Sequence, residues 1–72
     1  KKEDSLKIAT NIIKKNFLVA DFVKYELLEQ SNEMMVFRVS MKDMSELENL
    51  NKDLKESFED YKLSYYENNI LI

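Results

Sequence analysis

Neither glycine nor proline occurs anywhere in the 72 residues. Every chain reversal must therefore be built from residues with a Cβ, and positive φ angles are expected to fall mainly on Asn, with Asp and Ser supplying the other turns. A chain without glycine also has no phosphate-cradling glycine loop. The candidate reversals are consequently few: Asn16, Ser31-Asn32-Glu33 and Asn68-Asn69.

Between those points the spacing of apolar residues changes period. In "KKEDSLKIATNIIKKNF", Leu6, Ile8, Ala9, Ile12, Ile13 and Phe17 gather on one half of a helical wheel, while Lys7, Asn11, Lys14 and Lys15 take the other. Asp4 or Ser5 is the expected N-cap and Asn16 the expected left-handed stop. From Val23 the period becomes two: Val23, Tyr25 and Leu27 alternate with Lys24 and Glu26. The pattern resumes after the polar loop, where Met35, Phe37, Val39 and Met41 alternate with Val36, Arg38, Ser40 and Lys42.

Two such strands around a short polar segment predict a β-hairpin. A two-residue loop at Ser31-Asn32 would set Glu26 opposite Phe37 and mix core with solvent residues on one face. A three-residue loop, Ser31 to Glu33, sets Leu27 opposite Phe37, Tyr25 opposite Val39 and Val23 opposite Met41. On the outer face it pairs Glu26 with Arg38 and Leu28 with Val36, both favourable neighbours, so this register is expected.

"KDMSELENLNKDLKESFEDY" returns to helical spacing through Met44, Leu47, Leu50, Leu54, Phe58 and Tyr61. Asp43-x-x-Glu46 and Ser45-x-x-Glu48 both read as capping boxes. "YKLSYYE" then alternates Leu63 and Tyr65 against Lys62, Ser64 and Tyr66 as a third strand. The chain ends on Ile70-Leu71-Ile72, an uncharged run of the kind natural proteins keep off free sheet edges. It is expected to be ordered, either continuing the third strand or pairing with an edge, foremost that of a second copy.

The order helix, strand, strand, helix, strand predicts an α+β two-layer sandwich over residues 1–72, with both helices on one sheet face. It matches a ferredoxin-like βαββαβ unit without its first strand. Losing that strand would open a gap in the sheet, to be closed by direct pairing, by "NILI" or by a neighbouring chain. So small a domain buries only about 60% of the surface its unfolded form exposes and needs support from elsewhere. No Cys is present, so that support is not a disulfide or a zinc-thiolate site; the expected source is a second copy or the remainder of a longer protein, of which this chain is read as a piece.

Function is bounded chiefly by exclusion. His is absent along with Cys, which removes the usual general base near neutral pH and the commonest transition-metal ligands. Eleven Lys and Arg against 14 Asp and Glu leave a net charge of −3, the wrong sign for a phosphate-backbone binder. Four tyrosines, Tyr25, Tyr61, Tyr65 and Tyr66, could stack bases on an RNA-binding sheet, yet Tyr25 and Tyr65 fall in the inward series. The carboxylate pairs Glu46 with Glu48 and Glu59 with Asp60 lie on a highly charged helix and read as a solvated face. Hence no catalytic, cofactor or metal residue is assigned. The outer sheet face is the candidate interface, with Phe22, Leu28, Met34, Val36 and Tyr66 interspersed among charges and Ile70, Leu71 and Ile72 as an adhesive end.

The run from "SLKIATNIIKKNF" through "MMVFRVSMKDMSELENLNKDLKESF" to "YKLSYYE" resembles the cytosolic C-terminal domain of MgtC-type bacterial membrane proteins, in element order and in the strand–"KD"–helix junction. Such domains are similar to ACT regulatory modules. The resemblance implies a non-enzymatic regulatory or oligomerisation domain that forms homo-oligomers through a sheet face or edge. It also implies attachment to a membrane-spanning region outside this chain, on the cytoplasmic side. The same element order resembles the ring-building modules of bacterial secretion and sporulation machinery, which implies a structural role instead.

Overall fold

The computed structural model describes residues 4–72; Lys1, Lys2 and Glu3, which open the first predicted helical segment, lie outside the described residues. Two α-helices and a four-stranded antiparallel sheet run in the order α1 (Ser5–Asn16), β1 (Ala20–Leu27), β2 (Glu33–Val39), α2 (Met44–Ser57), β3 (Ser64–Tyr66) and β4 (Asn69–Leu71). The sheet order is β1-β2-β4-β3. Ala9, Ile13 and Phe17 at α1 and Leu50 and Leu54 of α2 share one buried cluster with Met35, Phe37, Val39 and Ile70 from the sheet. Both helices therefore cover one sheet face, as the alternating and helical periods require. No helix among the described residues is long and apolar enough to cross a membrane.

Local chemistry explains the helix ends. At α2 the Asp43 side chain accepts from the Ser45 amide at 2.8 Å and also from the Ser45 hydroxyl, while the Glu46 carboxylate accepts the Lys42 amide at 2.7 Å. The first of the two predicted capping boxes is the one used, with its return bond one residue upstream of the cap. These donors hold the Asp43 carboxyl below its ordinary range, its hydrogen bonds from Ser45 being the main cause. At α1 the N-cap is Asp4, without a side-chain capping bond. The expected left-handed stop at Asn16 does not occur; the helix ends into extended backbone at Phe17. Asn16 instead uses its amide to tie the helices together, donating to Ile12 O and to Asp53 Oδ2, both at 2.9 Å.

The hairpin register differs from expectation. The β1–β2 connection is a five-residue loop, Leu28 to Asn32, closed by the Leu28 N–H donating to Asn32 O at 2.6 Å. One 3-10 turn at Glu29–Ser31 fits inside it, with Gln30 and Ser31 at φ 60° and 63°. Tyr25 therefore lies opposite Met35 and not Val39, and Glu26 opposite Met34 and not Arg38. The displacement is an even number of residues, so Tyr25 and Leu27 keep the face assigned to them. A bulge at Val23 then inverts the alternation, setting Phe22 opposite Phe37 and Ala20 opposite Val39. The Leu27–Phe37, Val23–Met41 and Leu28–Val36 pairs are likewise absent.

β4 is the second departure. The tail is ordered and pairs with strand edges, as expected, but it does not continue the third strand and the edges are those of its own chain. It folds back across a two-residue turn at Glu67-Asn68 and enters the sheet between β2 and β3. Ile70 lies between Phe37 and Tyr65 and is fully buried, and the Ile72 N–H and O exchange bonds of 2.9 and 3.0 Å with Met35. Of the three closures foreseen for the gap, the chain uses its own last residues. Burial supplies the driving force: two isoleucines enter the helix-covered face, and a β-branched segment gains partners on both sides.

Candidate functional site: the exposed sheet edge

The eight residues expected to form one interface are distributed over four environments. Ile70 is in the core, and Ile72 packs against it from the helix side. Phe22 is turned onto the helix side by the bulge, so it is removed from the outer face. Leu28 is exposed at the start of the hairpin loop. Only Met34, Val36, Leu71 and Tyr66 occupy the outer face, where register places Val36 beside Leu71 and Tyr66 beside Asn69. That face is more polar than anticipated: Asp21, Arg38 and Asn69 form one cross-strand row, and Lys24 and Glu26 pair at 3.3 Å along β1.

The apolar surface that remains lies elsewhere. Among the strands β1 is the longest, at eight residues, and it is an edge of the sheet. Every residue from Asp21 to Leu27 is exposed, because the helices cover β2 and β4 and leave β1 projecting beyond them. Phe22, Val23, Tyr25 and Leu27 are 51%, 45%, 39% and 65% exposed. Leu18 and Val19, in the link before β1, are exposed as well. The sequence showed the alternation that makes β1 a strand. It carried no sign that the helix layer would stop short of it.

Backbone direction adds to the surface. The Leu28 amide bonds to Asn32 across the hairpin, and antiparallel ladders alternate. The polar groups of Lys24 and Glu26 therefore point inward to β2, and those of Tyr25 and Leu27 point outward from the sheet. Tyr25 is also fixed in place: its hydroxyl donates to Glu33 Oε2 at 2.5 Å, and Ser5 Oγ donates to Glu33 Oε1 at 2.5 Å. The bond to the Glu33 carboxylate is the main reason the Tyr25 phenol is raised above its ordinary 10.0. The edge is thus a strand with open hydrogen-bonding capacity, bulky apolar side chains and one anchored aromatic residue.

The carboxylates weighed in the sequence stay apart from any such surface. Glu46 is engaged with the Lys42 amide, and Glu48, Glu59 and Asp60 are exposed. Among the described residues no three His, Cys, Asp or Glu side chains come together in a group that could hold a metal ion. No family model, no curated protein and no solved structure matches this chain.

Proposed function

We propose that this chain is a non-enzymatic association module that takes a partner strand onto the free edge of β1. The observation that carries this reading is the seven-residue exposed run Asp21–Leu27 on an edge strand that bears Phe22, Val23, Tyr25 and Leu27. Natural edges are usually short, bulged away or guarded by lysine; β1 has one bulge and one lysine for eight residues. An edge of this kind favours strand addition, in which main-chain bonds supply affinity and alternate side chains supply selectivity. A sequence with no His or Cys supports the non-enzymatic half of the reading.

The strand order supports a finer description of the fold. With β4 between β2 and β3, we read the sheet as a ferredoxin-like unit whose first strand comes last in the chain order. ACT-like and MgtC-type domains share that layout, and the wider setting we propose is the regulatory, self-associating part of a larger protein.

Sedimentation of the full chain over a broad concentration range tests the reading, alongside Leu27→Lys, which places a charge on the edge without touching the core. The expected result is a concentration-dependent oligomer for the parent and a folded monomer for the variant. A parent that sediments as a monomer at every concentration overturns it.

A further inference from the structure

We infer that the partner strand is β1 of a second copy, paired antiparallel about a two-fold axis through Tyr25; the inference rests on the reading of β1 as the docking edge. A self-paired strand must satisfy three conditions at once. Residues opposite one another must share a face, the outward-pointing amides must meet, and like charges must not be opposed.

Face matching removes every register in which an even-numbered residue opposes an odd one. Centring on Lys24 or on Glu26 opposes two lysines or two glutamates, and it brings together residues whose amides point back to β2. Centring on Leu27 drives Tyr25 past the end of the strand against the loop residue Glu29. Centring on Val23 puts the bulge on the axis and Tyr25 opposite Asp21, which the bulge has turned to the outer face.

Centring on Tyr25 meets all three conditions. Tyr25 faces its own copy in a hydrogen-bonding pair, and Leu27, on the helix side, comes opposite the bulge residue Val23. Lys24 faces Glu26 twice on the outer side, so the two charges of each strand complement those of its neighbour. The Lys24–Glu26 contact at 3.3 Å shows both side chains already on that outer side. The bulge at Val23 limits the paired stretch to Val23–Leu27 and so fixes its length. The product is a continuous eight-stranded sheet with all four helices on one side, and the exposed side chains of Tyr25 and Leu27 from both copies meet in the gap between the two helix layers. The interface is isologous and closes as a dimer.

Two measurements on the full chain test the register. Lys24→Glu and Glu26→Lys are each expected to weaken self-association by about tenfold or more, since each sets like charges opposite one another twice. An equimolar mixture of the two is expected to restore it, because glutamates of one chain then face lysines of the other. A misfolded variant could not give that restoration. The chain contains no cysteine, so Tyr25→Cys, Val23→Cys and Leu27→Cys each offer a single thiol to a short bifunctional reagent. Self-cross-linking is expected to be fastest at Tyr25→Cys. A dimer that ignores both charge changes, or cross-links fastest at Val23→Cys or Leu27→Cys, overturns this register while the edge reading stands. A parent monomeric at every concentration removes the edge reading itself.

Discussion

The ring of Phe22 stands edge-on to that of Phe37, with centroids 5.8 Å apart and planes inclined at 71°. The two residues share a face only because the bulge at Val23 inverts β1, and they differ sharply in surroundings: Phe37 is 2% exposed and Phe22 is 51% exposed. Truncating Phe37 empties the centre of the core, so Phe37→Ala is expected to cost about 3–5 kcal/mol, enough to unfold much of so small a domain. Phe22→Ala removes an edge contact and partly hydrated surface, and about 1 kcal/mol is expected. Urea denaturation of both variants checks this. Equal losses would mean that β1 is covered as fully as β2.

Asp53 joins the two helices. Its carboxylate accepts from Asn16 at 2.9 Å and lies 3.4 Å from the Lys15 ammonium, and its pKa is lowered, the Asn16 hydrogen bond first among the causes. Asp43 is lowered by its bonds from Ser45. A carboxyl with a lowered folded pKa contributes stability above its unfolded value, ordinarily 3.8, and loses it as pH falls toward the folded value. Tyr25 has the opposite sign: its raised pKa contributes stability below 10.0 that is lost as pH rises through the folded value. Thermal midpoints are therefore expected to decline on both flanks. Asp53→Asn should flatten the acid flank, and Glu33→Gln should return one of the four tyrosines toward ordinary titration at the phenolate absorbance.

How far these features could be read from the sequence depends on what each one encodes. Period-two spacing fixes faces, and it placed Met35, Phe37 and Val39 inward. Helical spacing likewise selected Ala9, Ile13, Leu50 and Leu54 for the core, and Asp43 with Glu46 marked the start of α2. Register is another matter, because sliding β1 by an even number of residues leaves every face unchanged. Only the loop decides it, and the five-residue loop depends on Gln30 and Ser31 taking positive φ, which neither residue type advertises. The bulge at Val23 has no glycine to announce it. The sequence pattern therefore points to the outer face, whereas the exposed apolar groups lie along β1, where the helix layer ends.

Ile70 illustrates what the tail does. Between Phe37 and Tyr65 it is fully buried, and the residues around it join β3 to the rest of the sheet. Removing Ile70-Leu71-Ile72 deletes the inner strand and detaches β3, so that truncated chain is expected to lack a cooperative unfolding transition. Ile70→Ala is expected to cost about 2–5 kcal/mol through the cavity it leaves. Both readings come from circular dichroism melts. A truncated chain with the parent's midpoint would mean that β4 is dispensable.

The turn that delivers β4 carries the last expectation. It was anticipated at Asn68-Asn69 but forms one residue earlier, with Glu67 and Asn68 at φ 50° and 66° and Tyr66 paired to Asn69. Two central residues with positive φ define a type I′ hairpin turn, which matches the twist of the strands it joins. Asn tolerates that region, and Asn68 gains further from the Tyr65 hydroxyl, which donates to its Oδ1 at 3.0 Å. Glu67 has no such compensation: a Cβ in the left-handed region costs about 1–2 kcal/mol, and its exposed side chain does not offset it. Glu67→Gly removes that cost against an added unfolded-state entropy of about 0.5–1 kcal/mol, so a net gain of about 0.5–1 kcal/mol is expected. Asn68→Gly forfeits the Tyr65 bond and is expected to gain nothing. Urea midpoints of the two variants separate these outcomes, and a larger gain at Asn68 than at Glu67 would show that the strain lies on the other turn residue.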